Sequence, residues 1–192
     1  MKQISNTKHK LYISFIKLCK LKPFNKIKIS DITNNAGVKR QTFYYYFNDK
    51  YCLLKHTYYI TALHLLDKNV SIDNWQNIVQ QMLMAIKKNS ILYHKTVTYD
   101  QNILFEEFSS ILEKKFKELF HLFKINESYI KKKYDENFYA LFFSYGCSGI
   151  LLNWITNNYP TSPKELAEEL NHLAKYIEFL SIKLMYHNIQ KQ

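Results

Sequence analysis

The stretch IKISDITNNAGVKRQTFYYYFNDK, residues 27–50, constrains the fold more than any other part of the chain. Ile32 and Ala36 lie four apart and so share one face of a helix, with Gly37 directly after them. Glycine enters the left-handed region without a Cβ penalty, which is what a close turn after a helix requires. Phe43 and Phe47 are again four apart, so a second short helix can bury both against Ile32, Ala36 and Val38. Ser30, or a residue just before it, starts the first helix. Two short helices joined around one glycine read as a helix-turn-helix.

The run Phe43-Tyr44-Tyr45-Tyr46-Phe47 follows Lys39 and Arg40, the only arginine. A chain with 16 Tyr, 3 Gly and nearly all of its basic residues as lysine carries the codon bias of an AT-rich genome, which makes tyrosine plentiful. That bias does not explain why apolar and polar rings alternate with the helix face. Successive residues turn by about 100°, so Arg40, Gln41, Tyr44 and Tyr45 fall away from the edge that buries Phe43 and Phe47, and Tyr46 lies near the flank. The outward set of Lys39, Arg40, Gln41, Thr42, Tyr44 and Tyr45 suits duplex DNA. Arginine can take guanine O6 and N7, and glutamine can take adenine N6 and N7. Threonine can offer a hydroxyl or touch a thymine methyl, and tyrosine hydroxyls reach phosphate oxygens.

The rest of the chain reads as helices. With only 3 Gly and 3 Pro, turn chemistry is too scarce for a sheet-rich fold, and 47% hydrophobic residues supply a core, so the expected class is all-α. A first helix over about 7–22 carries Leu11, Phe15, Leu18 and Cys19 at helical spacing and stops at Pro23. Asn48-Asp49 caps a longer helix over about 49–69. Helices are expected at about 73–89, 90–99, 101–123 and 128–158. The last opens with Ser162 as N-cap, Pro163 at the first helical position and Glu165 completing a capping box. Its stripe Leu166, Leu170, Leu173, Ile177, Leu180 and Leu184 is a 3.5-residue seam, for packing within the chain or for self-association.

Charge is concentrated. Residues 1–60 carry 12 Lys/Arg against Asp31 and Asp49, which leaves the remaining residues almost neutral although the whole chain is +11. Such a field suits a polyphosphate or an anionic membrane surface. The stretch 138–156 has no charge and could just cross a bilayer, but Tyr139, Ser144, Tyr145, Ser148 and Asn153 argue for a buried helix in a helical core. No signal peptide is read at the N-terminus. Cys19, Cys52 and Cys147 are far apart and odd in number, which points to a reducing, cytoplasmic compartment. The seven histidines form no metal-ligand spacing, and no phosphate loop, nucleophile elbow or carboxylate pair is visible, so neither a metal, a cofactor nor an enzyme is expected. Glu106-Glu107, Asp135-Glu136 and the lysines at 131–133 read as solvated helix faces. The C-terminal aromatics are expected mainly as core, some of them lining an apolar pocket.

The segment ISDITNNAGVKRQTFYYYFNDKYCLL resembles the DNA-binding region of TetR/AcrR-family transcriptional regulators, in its AGV turn, its T-F-Y-x-x-F helix and the following D-K-x-x-L. RQTFYYYFNDKY together with FFSYGCSGILLNWITNN (142–158) is similar to a Gram-positive subgroup that includes the dihydroxyacetone kinase operon activator. The resemblance implies a three-helix DNA-binding domain over 1–50 and a helical effector-binding and dimerisation domain over 51–192. It implies a homodimer on a palindromic operator, a repressor by family habit. Carried over by position, Arg40, Gln41 and Thr42 face bases, Tyr44, Tyr45 and Tyr46 lie along backbone and groove, Lys50 meets a phosphate, and Ser30 is a further contact. The helix at 49–69 would act as the lever between domains, moved by a small apolar effector or a protein co-regulator. Dimerisation would use the last two long helices, including the Gly146-x-x-Gly149 step, whose alternative is close packing within one subunit. The alternative from another class is a peripheral membrane or protein-interaction module using the basic N-terminal third.

Overall fold

The computed structural model describes residues 2–68, 71, 73–126 and 135–189, with side chains described over 6–68, 71, 73–121, 135 and 137–176. Among the described residues there are helices and no strands. Three helices form the N-terminal unit: α1 (Lys2–Leu21), α2 (Ile29–Ala36) and α3 (Arg40–Tyr46), with a 3₁₀ turn at Phe24–Lys26. Leu11, Phe15 and Cys19 of α1 are fully buried with Ile32 and Phe43, so the helical spacing of the sequence becomes one small core. Ser14 ties the unit together: its hydroxyl donates to Ile32 O at 2.8 Å and accepts from the Asn35 amide at 2.9 Å.

The turn is the one expected. Gly37 has φ +65° and ψ 37°, and it donates to Asn34 O at 3.2 Å while Val38 N donates to Thr33 O at 3.0 Å. At the start of α2, Lys28 N donates to the Asp31 carboxylate at 2.9 Å, and Lys22 pairs with the same carboxylate at 2.5 Å. These bonds, that from Lys22 first, hold the Asp31 pKa below its ordinary value.

The remaining helices are α4 (Lys50–Thr61), α5 (Trp75–Lys88), α6 (Ser90–Tyr99), α7 (Gln101–Asn126), α8 (Glu136–Thr156) and α9 (Pro163–Ile189). Asp49 caps α4 by accepting from Cys52 N at 2.8 Å. Ser162 and Glu165 form the full capping box, at 2.7 Å and 3.2 Å. Two expectations shift. The helix expected to 69 ends at Thr61, where Ala62 takes φ −150° and a 3₁₀ turn over Leu63–Asp67 follows. The helix expected from 128 is described from Glu136, and the lysines at 131–133 lie outside the described residues.

The centre of this C-terminal unit is aromatic and polar at once. Tyr58 of α4 stacks on Tyr93 of α6 at 5.0 Å. The Tyr58 hydroxyl donates to Thr96 Oγ1 at 2.6 Å, and the Tyr93 hydroxyl meets Thr61 Oγ1 at 2.8 Å. Burial raises both phenol pKa values well above the ordinary range, so both rings stay neutral donors. Helices α7 and α8 pack antiparallel, with Phe120 against Tyr139 and Phe143 at one end and Phe105 against Tyr145 farther along. After α8 the chain turns through two left-handed residues, Asn158 and Tyr159. This strain is held by Tyr159 stacking edge-on against Trp154 at 4.8 Å and donating to Ser90 O at 3.0 Å.

Helix α8 is not buried all round. Ala140, Ser144, Ser148, Leu151 and Ile155 face inward, whereas Phe138, Leu141, Phe142, Tyr145 and Ile150 are exposed. A span by length and composition, Asn137–Thr156 is therefore a helix with one packed and one bare face. On α9, Leu166 packs against the core but Leu173 and Tyr176 are exposed. The lower seam residues Ile177, Leu180 and Leu184 lie outside the described side chains.

Candidate nucleic-acid interface

Helix α3 starts at Arg40, after Lys39, whose extended backbone serves as N-cap and accepts from Thr42 N at 2.9 Å. Its inner edge is Phe43, fully buried, and Phe47, at the cap position just after it, is 6% exposed. The two rings meet at 5.8 Å, and Phe47 also meets His56 of α4 at 5.3 Å. Taking the two phenylalanine rings out of water stabilises the fold by about 1.5–3 kcal/mol each. That burial sets the rotation of α3 about its own axis, so the opposite face is presented.

On that face Lys39, Arg40, Gln41, Tyr44 and Tyr45 are exposed, Tyr45 to 75%, and Thr42 is half-buried. Arg40 donates to the Tyr44 hydroxyl at 3.1 Å. Tyr46 sits at the flank, half-buried against the core, with Tyr45 edge-on at 4.9 Å. Ser30 is exposed on α2, one helix away.

Lys50 is placed differently from the expectation. Its ammonium turns toward the 3₁₀ turn, donating to Phe24 O at 3.1 Å, Ile27 O at 3.2 Å and Asn25 O at 3.4 Å, and lies 4.5 Å from the Phe24 ring centre. Burial lowers its pKa. The lysine closes the C-terminal carbonyls of the turn, so its donors are used inside the protein. One contributor at the face escaped the sequence reading. Lys8 of α1 lies over Tyr46 at 5.7 Å, beside the end of α3. Nothing local to MKQISNTKHK signals that α1 packs there.

Both acids of the first 60 residues sit at helix starts, Asp31 at α2 and Asp49 at α4, and the field stays positive because 12 Lys/Arg outnumber them. The N-terminal unit also touches the C-terminal one. Lys95 of α6 donates to Lys20 O at 3.1 Å and Tyr99 meets Phe24 at 5.2 Å, while within the C-terminal unit Lys55 of α4 pairs with Glu107 of α7 at 2.9 Å. Where the end of α6, the start of α7 and the end of α8 meet, there are shallow clefts lined by His94, Asp100, Gln101, Asn102 and Thr156. Among the described residues no group of three or more His, Cys, Asp or Glu could hold a metal.

A buried helix-turn-helix presenting a basic and aromatic recognition helix, carried on a separate bundle of longer helices, defines the class of DNA-binding transcriptional regulators. Residues 16–57 match the family model described as bacterial regulatory proteins, tetR family, and residues 73–176 match that for a transcriptional regulator C-terminal region. The chain belongs to the TetR family of transcriptional regulators. Over 95 residues it is 33% identical to the HTH-type dhaKLM operon transcriptional activator DhaS of Lactococcus lactis subsp. lactis (strain IL1403). That match spans 50% of this chain and 50% of the relative. The fold is shared with a solved dihydroxyacetone kinase operon activator DhaS, at TM-score 0.68 and 23% identity over 90% of this chain and 97% of that one. It is also shared with the TetR family repressor AlkX from Dietzia sp. strain DQ12-45-1b, at TM-score 0.57 and 16% identity over 88% and 96% of the two chains.

Proposed function

We propose that this regulator acts in the cytoplasm as a homodimer that reads a palindromic operator, with residues 1–50 on the DNA and residues 51–192 dimerising and receiving the controlling signal. The observation that carries the reading is the division of α3: Phe43 and Phe47 hold the helix from inside while Lys39, Arg40, Gln41, Thr42, Tyr44 and Tyr45 face out. Arg40, Gln41 and Thr42 contact base edges, Lys39, Tyr44 and Tyr45 reach the backbone and groove wall, and Tyr46 and Ser30 border the contact. Lys50 is left out of the set because its ammonium is occupied by carbonyls.

A dimer brings two copies of α3 to half-sites one helical turn or a multiple apart. The bare face of α8 supports it: Phe142 is 65% exposed, Phe138 and Ile150 are exposed with it, and a Cβ added at Gly146 or Gly149 would meet nothing within 4 Å. Among the described residues nothing would obstruct the close approach of a second subunit's helix at these glycines. The expected mass in light scattering is twice 23.1 kDa, and Phe142→Glu should return the single mass. Selection of random duplexes at moderate salt should enrich a palindrome. Binding without an enriched sequence, lost steeply as salt rises, would overturn the operator reading and leave only the basic field.

A further inference from the structure

We infer that Tyr44 is a positioning residue for sequence readout, its hydroxyl holding the Arg40 guanidinium ready at the outer face of α3. The inference rests on the operator-binding reading above. Arg40 Nη2 donates to the Tyr44 hydroxyl at 3.1 Å, and the guanidinium carbon lies 5.6 Å from the centre of the Tyr44 ring. The two residues are one helical turn apart, so α3 makes the pair by itself before any DNA is bound. The tyrosine is held in turn: its ring meets Phe43 edge-on at 5.7 Å, and Phe43 is fully buried.

The pair leaves arginine able to read a base. A guanidinium carries five N–H donors in a rigid fork, of which Tyr44 takes one. Two others remain for guanine O6 and N7. An exposed arginine loses rotamer freedom when it docks on a base, and one already held by a neighbour loses less. Tyr44 thus raises the affinity for one base pair without touching it. Tyr45 is built differently. Its ring leans on Tyr46 at 4.9 Å and it is 75% exposed, as a groove-wall contact would be.

The test uses the full chain as wild type, Tyr44→Phe, Arg40→Ala and the double variant. Each is titrated against the selected operator, against operators changed at one base pair at a time, and against an unrelated duplex, all at one salt concentration. Arg40→Ala should lose about 5- to 150-fold discrimination at one base pair of each half-site. Tyr44→Phe should lose about two- to tenfold of the discrimination at that same base pair, beyond any uniform loss it shares with the unrelated duplex, and that loss of discrimination should vanish in the Arg40→Ala background. The substitution removes one exposed hydroxyl, and a folding defect would weaken every duplex in both backgrounds. If Tyr44→Phe weakens all duplexes alike, or its loss of discrimination persists without Arg40, the inference is overturned while the operator reading stands. If the wild type enriches no sequence, the operator reading itself fails and takes the inference with it.

Discussion

Replacing Lys50 by methionine preserves side-chain length and helix propensity but removes the ammonium. A lysine at the first position of α4 opposes the helix dipole, so another interaction has to hold it there. That interaction is the trio of carbonyls from the 3₁₀ turn, two half-buried at 3.1 and 3.2 Å and one exposed at 3.4 Å. Hydrogen bonds from a charged donor contribute about 1.5–3 kcal/mol each when well formed, and the long exposed one contributes little. The Phe24 ring, 4.5 Å away, adds about 0.5–1 kcal/mol at a partly wet site. Burial of the ammonium, which lowers the Lys50 pKa, offsets part of this. Taking the two half-buried bonds at the lower end of that range leaves about 2–3 kcal/mol. For a chain of this size that corresponds to a thermal midpoint lower by about 5–10 °C. Melting followed by far-UV circular dichroism should show this drop, while the salt dependence of operator binding keeps its slope. An unchanged midpoint with a salt slope shallower by about one unit would refute the reasoning and put Lys50 on a phosphate.

Two further perturbations test the N-terminal unit. At Gly37, φ is +65° and an added Cβ meets nothing within 4 Å, so Gly37→Ala should lose about 1–2 kcal/mol through backbone conformation alone, with Gly37→Asn losing less. Urea titration reads both, and equal stability of the alanine variant would sink the conformational account. His56 has its pKa held below the ordinary 6.5 by burial first and by the charge of Lys8 second. Because the folded value is the lower one, the histidine's contribution is whole above pH 6.5 and is lost as pH falls through the lowered value. His56→Gln should therefore flatten the fall in midpoint below that pH; an identical fall in the variant would assign it to other groups.

Much of the interface was legible because it is local. Phe43 and Phe47 are one turn apart and their burial decides which way Arg40, Gln41, Tyr44 and Tyr45 point. The placement of the Lys50 ammonium was not legible, because its position beside a recognition helix says nothing of carbonyls 23 to 26 residues earlier. In α8 the polar residues Tyr139, Ser144, Tyr145, Ser148 and Asn153 argue for a core helix over a membrane span, yet composition does not distinguish a face against the chain's own core from one left bare. Gly146 and Gly149 lie on that bare face, where composition predicts close approach but cannot say from which chain.

The amino-acid sequence by itself determined the all-helical class, the left-handed turn at Gly37, the caps at Asp49 and at Ser162 with Glu165, and the outward chemistry of α3. Each of these is decided by residues within about one turn of each other, where backbone geometry leaves few choices. Only the tertiary structure decided where α4 ends, how Asn158 and Tyr159 turn the chain, and where the Lys50 ammonium goes. Those outcomes depend on partners far along the chain. Tyr58 reaches Thr96 across 38 residues, and Tyr159 reaches Ser90 across 69. A pattern read along the sequence carries no distance between such pairs until the helices have packed.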